Sequence, residues 1–180
     1  MLCEKIIIAK IDLQGGRRLR WWSAVEKKFE TVAVGGTFDE FHKGHRVLLK
    51  KAFEVGNRVL VGLCSDDFVK KLGKPHKIAP YEQRFEELKS FLRKRGVLER
   101  VEIVPLDDPY GVTVSRNRLD AIVVSKETEP RAHEINEKRR SKGRPPLEIV
   151  VIDMILAEDY FPISSTRIWI GEIDHEGHLL

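Results

Sequence analysis

The chain has 180 residues, 42% of them hydrophobic and 33% charged, which suits one compact domain with a real core and excludes a disordered tail or a chain rich in membrane spans. The net charge of +4 favours anionic partners but does not choose among nucleotides, phosphorylated metabolites and nucleic acid. The two cysteines, Cys3 and Cys64, sit in apolar surroundings and suggest neither a disulfide framework nor a zinc knuckle. With no signal-peptide layout and no apolar run near bilayer length, a reducing cytoplasmic location is expected.

Residues 1 to 30 stand apart. IIIAKIDL is strand-like, and GGRRLRWW is a turn followed by a basic, aromatic patch, so this piece is an extension of unknown role. From residue 31 to 180 apolar runs alternate with Gly or Asp turns and helix-period segments, which is the pattern of one domain with a parallel sheet. The predicted strands are Thr31 to Gly35, Arg58 to Leu63, Val101 to Val104, Ala121 to Val124 and Leu147 to Ile152. Each is rich in Val and Ile and nearly continuous in hydrophobicity, as strands covered on both faces are. The predicted helices are His45 to Val55, Asp66 to Lys71, Tyr81 to Arg95 and Glu127 to Ser141, with a last one opening near Ser165. The fold expected is α/β, a doubly wound, Rossmann-like, five-stranded parallel sheet with helices on both faces. In such folds ligands bind outside the carboxyl ends of the strands, so the loops there carry the function.

The first of those loops lies in GGTFDEFHKGHRVLL, Gly35 to Leu49. A helix opening there presents unpaired N–H groups and a partial charge of about half an electron, which suits a phosphate. Gly35 and Gly36 let the backbone approach a ligand closely, and Thr37 adds a hydroxyl. The loop has neither the lysine and length of a P-loop nor the spacing of a dinucleotide fingerprint. His42 and His45, three apart, would share a face if both stand at the helix start, and two imidazoles could then reach one polyphosphate. Imidazole donates a hydrogen bond, gains charge near neutral pH and stabilises charge on a phosphoryl group in transfer. A zinc site would need a third ligand that no nearby Cys or His supplies, so no metal ligands are assigned. Farther on, FPISSTRI places Ser164 or Ser165 as N-cap of a second helix, with hydroxyls and N–H groups converging and Arg167 as a forked donor.

The stretch containing HKGH, together with ISST more than a hundred residues later, resembles the H-x-G-H nucleotidyltransferase superfamily. Its members move a nucleotidyl group to a phosphate or alcohol and release pyrophosphate without a covalent intermediate. Three further stretches resemble the phosphopantetheine adenylyltransferases of the archaeal and eukaryotic type: DDFVKKLGKPHKIAPYEQRFEEL, PLDDPYG, and PISSTRI with GEIDHEG. This resemblance implies ATP with Mg2+ and 4′-phosphopantetheine as partners. It puts Gly35, Gly36, Thr37, Phe38, His42, His45, Ser164, Ser165, Thr166 and Arg167 on ATP, with His45 at the transition state and His42 on the β- or γ-phosphate. It puts Thr37, Lys71, Lys74, Asp107, Tyr110 and Lys126 toward phosphopantetheine. A loop lysine would separate the two approaching anions; Lys71 and Lys74 both qualify, while Lys70 and Lys77 are weaker bids.

The resemblance has gaps. In place of the bacterial arginine-rich segment after the fourth strand, VVSKETEPRAHEI offers only Lys126 and the more distant Arg131. Arg84 either pairs with Glu87 or lines the pocket, and Asp107, Asp108 and Tyr110 either recognise the pantetheine amides or make a turn. Two rival readings remain: a polyol-phosphate cytidylyltransferase or flavin adenylyltransferase, and a nucleic-acid module gripping through RRLRWW, RKR at 93 to 95 and KRRSKGR at 138 to 144. The first is disfavoured because FPISST lacks the Arg-Thr-x-Gly lead of the cytidylyltransferases.

Overall fold

The computed structural model describes residues 27–180; the strand-like IIIAKIDL and the RRLRWW patch lie outside them. Five strands, β1 (Phe29–Gly36), β2 (Gly56–Cys64), β3 (Val101–Leu106), β4 (Ala121–Ser125) and β5 (Glu148–Ile152), form one sheet in the order β3-β2-β1-β4-β5. Every neighbouring pair is parallel. The strand order reverses between β1 and β4, which opens a crevice at their carboxyl ends.

Five helices complete the unit: α1 (Lys43–Val55), α2 (Asp66–Lys71), α3 (Tyr81–Lys94), α4 (Glu129–Ser141) and α5 (Ser165–Trp169). The near-continuous apolar strands serve two cores. Val32, Val34, Val59, Val61 and Leu63 face α1 and α3, while their alternates Ala33, Leu60, Ile122 and Val124 face α4. In α1 the buried side chains Leu49, Ala52 and Phe53 recur at three and four, a single stripe. Leu49→Ala would cost about 2–5 kcal/mol by leaving a cavity. Gly56 ends α1 where the backbones crowd: a Cβ there would stand 2.6 Å from a Val32 methyl and 3.2 Å from the Ala52 carbonyl oxygen.

Boundaries move where polar groups decide them. β1 begins two residues before the predicted Thr31, because the Asp120 carboxylate accepts the N–H groups of Glu30 and Thr31 at 3.0 and 2.8 Å. α1 begins at Lys43 rather than His45, because the His42 side chain serves as its N-cap. α4 begins two residues late, because Thr128 Oγ1 bonds Ser125 in a turn that delays the helix. Among the described residues no helix is long and apolar enough to cross a membrane.

The C-terminal segment folds back over the start of α1. Ala157, Ile163 and Ile173 form a small third core, and the His175 carbonyl accepts the Lys43 N–H at 2.9 Å. Arg46 clasps the same segment through the His175 carbonyl and the Glu176 carboxylate. The last thirty residues are thereby held against the first loop.

Candidate active site

At the end of β1 the chain passes through Gly35, Gly36 and Thr37, and α1 then opens on the two histidines. The His42 Nδ1 accepts the Gly44 N–H at 3.1 Å, so a proton on its neutral ring sits on Nε2. The His42 and His45 rings stack at 3.8 Å between centroids and 24° between planes. Phe41 and Phe38 back His45 at 5.8 and 5.2 Å. Phe38, expected on ATP, has a fully buried side chain in the core with a backbone φ of 51°; it braces His45 rather than facing the cleft.

Burial, with Arg46, His175 and Lys74 nearby, lowers the His42 pKa to about 4. Burial, then His42, Arg46 and Lys74, holds His45 well below the ordinary histidine value. Both rings are neutral at pH 7, which corrects the expectation that they gain charge there. The His45 Nδ1 is buried without a hydrogen-bond partner.

The ISST segment lies against this loop. Ser164 caps α5 by accepting the Arg167 N–H at 3.3 Å, and the Ser165 hydroxyl donates to the Asp39 carbonyl at 2.9 Å. Asp39 is almost fully buried; its carboxylate contacts His76 Nε2 at 3.2 Å and accepts the Ala79 N–H at 3.0 Å. The other His76 nitrogen lies 3.3 Å from Thr166 Oγ1. Thr166 is thus engaged behind the cleft. Arg167 points away, paired with Asp159 and, at 2.8 Å, with Glu172.

Two cavities adjoin. A polar cleft of about 470 Å³ is lined by Thr37, His42, His45, Ser164 and Ser165, among others. An apolar cavity of about 320 Å³ runs between the sheet and α4, with Leu60, Val104, Tyr110, Val112 and Ile122 in its wall. Gly35, Gly36, Thr37, Lys74, Thr128 and Arg131 line both. Cys64, its thiol pushed up to about 11 by burial, adds an unreactive patch to the apolar wall.

Lys74 therefore stands at the junction, whereas Lys71 lines neither cavity. Lys70 pairs with Asp67 at 2.9 Å, and Lys77 lines only a separate hollow beside α2. Lys126 pairs with Asp153 at 2.7 Å and lies outside both cavities. Arg131 takes the place at the junction, held by Glu134 at 2.6 Å. Tyr110 reaches the apolar cavity and donates its hydroxyl to Glu134 at 3.2 Å. Asp107 is exposed and lines neither cavity, and Asp108 makes a turn by accepting the N–H groups of Tyr110 and Gly111.

Arg84 does neither of the things expected of it. Fully buried, it donates to the carbonyls of Ala79, Thr37 and Cys64 at 2.7, 2.8 and 2.8 Å and to Asp66 at 2.9 Å. It ties the ends of β1 and β2 to the loop before α3. In the KRRSKGR run Arg139 is likewise buried, donating to the carbonyls of Pro145, Thr113 and Arg116 at 2.8, 2.5 and 3.0 Å. That run therefore loses Arg139 to the fold, while Lys138, Arg140 and Lys142 stay exposed.

His76 and Asp39 were missed in the sequence. Their link spans 37 residues, and a lone histidine in KPHKIAP carries no periodic or spacing signal.

Residues 33–169 match the family model described as cytidylyltransferase-like. The chain is 49% identical over 156 residues to the phosphopantetheine adenylyltransferase of Methanothermobacter thermautotrophicus, covering 87% of this chain and 93% of that one. It is 50% identical over 147 residues to the enzyme of the same name from Methanopyrus kandleri, covering 82% and 92%. Among solved structures, a protein of unknown function from Archaeoglobus fulgidus superposes with a TM-score of 0.62 and 34% identity, over 68% of this chain and 89% of that one. The chain belongs to the cytidylyltransferase-like family and, within it, to the phosphopantetheine adenylyltransferases.

Proposed function

We propose that the protein transfers the adenylyl group of ATP to 4′-phosphopantetheine, giving dephospho-coenzyme A and pyrophosphate in the cytoplasm. The observation that carries this reading is the junction of the two cavities. A polar cleft between two helix openings suits a triphosphate, and an apolar channel beside it suits a pantetheine arm. They meet at Thr37 and Lys74, where the acceptor phosphate would face the α-phosphorus.

The reaction is an in-line displacement. A phosphate oxygen of the acceptor forms the new bond to the α-phosphorus, the bond to the bridging oxygen breaks, and pyrophosphate leaves with the electron pair. No side chain forms a covalent bond in this scheme, so positioning and charge stabilisation supply the catalysis. Thr37 and His45 would hold the α-phosphate, and His42 would donate from Nε2 to the β- or γ-phosphate. Ser164 and Ser165 would hold the leaving pyrophosphate. Lys74 and Arg131 would separate the two anions as they approach.

Mg2+ would accompany the triphosphate and neutralise part of its charge. Among the described residues no three His, Cys, Asp or Glu side chains converge as a metal cage. This fits an ion held mainly by phosphate oxygens and water, with Glu127 on the cleft wall as a carboxylate beside it.

The test is an acceptor and nucleotide screen with coupled pyrophosphate detection. ATP with 4′-phosphopantetheine and Mg2+ should release pyrophosphate and yield dephospho-coenzyme A, and CTP should substitute poorly. Turnover of CTP with a polyol phosphate instead would overturn the assignment.

A further inference from the structure

His76 and Asp39 are the buried histidine–carboxylate pair among the described residues, with side chains 1% and 3% exposed. Both His76 nitrogens are engaged. With the proton on Nε2 the ring donates to Asp39, and Nδ1 accepts from the Thr166 hydroxyl, which satisfies every polar atom of the group. Trp169 covers the ring at 5.8 Å. His76 therefore has no nitrogen left for a substrate, and its effect on the site must pass through what it holds.

What it holds is the loop of Lys74. Between α2 and α3 the chain runs without regular structure, and Gly73 stands in it at a φ of 61° with open space around it. Two residues after Lys74, His76 binds the Asp39 carboxylate, and Ala79 binds the same carboxylate from the loop's far side. Asp39 belongs to the loop that carries Thr37, and its carbonyl takes the Ser165 hydroxyl. The lysine loop is thus tied to the Asp39 carboxylate, and the start of α5 to the Asp39 carbonyl and to His76, so all three segments meet at one residue of the β1–α1 loop.

Resting on the reaction proposed above, we infer that His76 is a positioning residue: through Asp39 it fixes the loop that sets the Lys74 ammonium at the meeting point of the two cavities. A lysine is a point charge on a flexible stem, so its catalytic value depends on where its backbone is held. A displacement of about 1 Å at such a group can cost about a hundredfold in rate.

A double-mutant cycle tests this. His76→Ala should lower kcat about a hundredfold and change KM for ATP by less than about threefold. In a Lys74→Ala background it should lower kcat by less than about twofold further, because the lysine it positions is gone. His76→Gln, whose amide can still donate to Asp39, should retain kcat within about fivefold of wild type and provides a folded variant if the alanine form is unstable. Fully multiplying losses in the double variant, or an unchanged kcat for His76→Ala, would overturn the inference.

Hydrogen exchange on the free protein adds a readout that needs no turnover. In the His76→Ala variant, amides between residues 72 and 79 should exchange faster, in His76→Gln they should stay near wild type, and those of β1 and β2 should be unchanged in both. Unchanged exchange in that loop of the alanine variant would refute the anchoring whichever acceptor the enzyme uses. A wild type that released no pyrophosphate would instead sink the proposed reaction and leave the anchoring to the exchange result.

Discussion

The His42 and His45 rings stack at 3.8 Å, and their burial, with the Arg46 charge nearby, keeps both neutral at pH 7. The unfolded chain would bind protons at these rings near the usual value of about 6.5, whereas folded His42 waits until about 4. Their contribution to stability is therefore complete above pH 6.5 and is lost as pH falls toward 4. His42→Asn keeps an N-cap acceptor but removes the titration. Between pH 7 and 5, wild type should lose about 2 kcal/mol more stability than this variant, measured by urea denaturation at each pH. Parallel losses in the two proteins would show that His42 titrates normally in the fold.

Arg84 offers a stability prediction that is independent of the chemistry. Its guanidinium satisfies three backbone carbonyls, that of Cys64 buried and the other two partly so, and pairs with Asp66, so Arg84→Ala takes this donor from all of them, although Asp66 keeps the Tyr81 N–H. The expected loss is about 3–5 kcal/mol. Arg84→Lys keeps the charge but cannot reproduce the fork, and should recover only part of it. A denaturation midpoint within experimental error of wild type for the alanine variant would contradict the role given to this residue.

The sheet was legible because the central strands β1, β2 and β4 are buried and all five strands are rich in Val, Ile or Leu. The phosphate loop was legible because HKGH and ISST each place their polar groups within one turn of chain. Asp39, His76 and Thr166 were not, because their contacts join residues 37 and 90 positions apart and leave no local pattern. Arg84 occupies an intermediate case. It stands four residues before Leu88 and eight before Leu92 on the buried stripe of α3, so a charged residue in an apolar register was the available signal. Arg139 repeats it on α4, sharing a buried face with Ala132 and Ile135.

The structure separates two lysines that the sequence left level. Lys74 lines both cavities and Lys71 lines neither, so of the two Lys74 is the candidate to stand between the phosphates in the proposed reaction. Lys74→Ala should reduce kcat about 10²–10³-fold, the usual cost of one preorganised charge-stabilising donor. Lys71→Ala should stay within about twofold of wild type, as a solvated surface charge would. Steady-state kinetics with saturating ATP decides it, and a larger defect in the Lys71 variant would reverse the assignment.

The same argument applies on the other side of the junction, where Arg131 and Lys126 compete for the phosphate contact after β4. Arg131 lines both cavities and is paired with Glu134, which in turn accepts the Tyr110 hydroxyl; Lys126 lines neither and is spent on Asp153. A held guanidinium binds phosphate with two parallel donors and little entropy left to lose. Arg131→Ala should therefore raise KM for acceptor and ATP together by about tenfold or more, the equivalent of about 1.4 kcal/mol or more each. Lys126→Ala should leave both within about twofold, since an exposed ion pair contributes little. Initial rates across a grid of both substrate concentrations measure the two constants at once. If Lys126→Ala weakens either substrate more than Arg131→Ala does, the phosphate donor lies on the turn after β4 and not on α4.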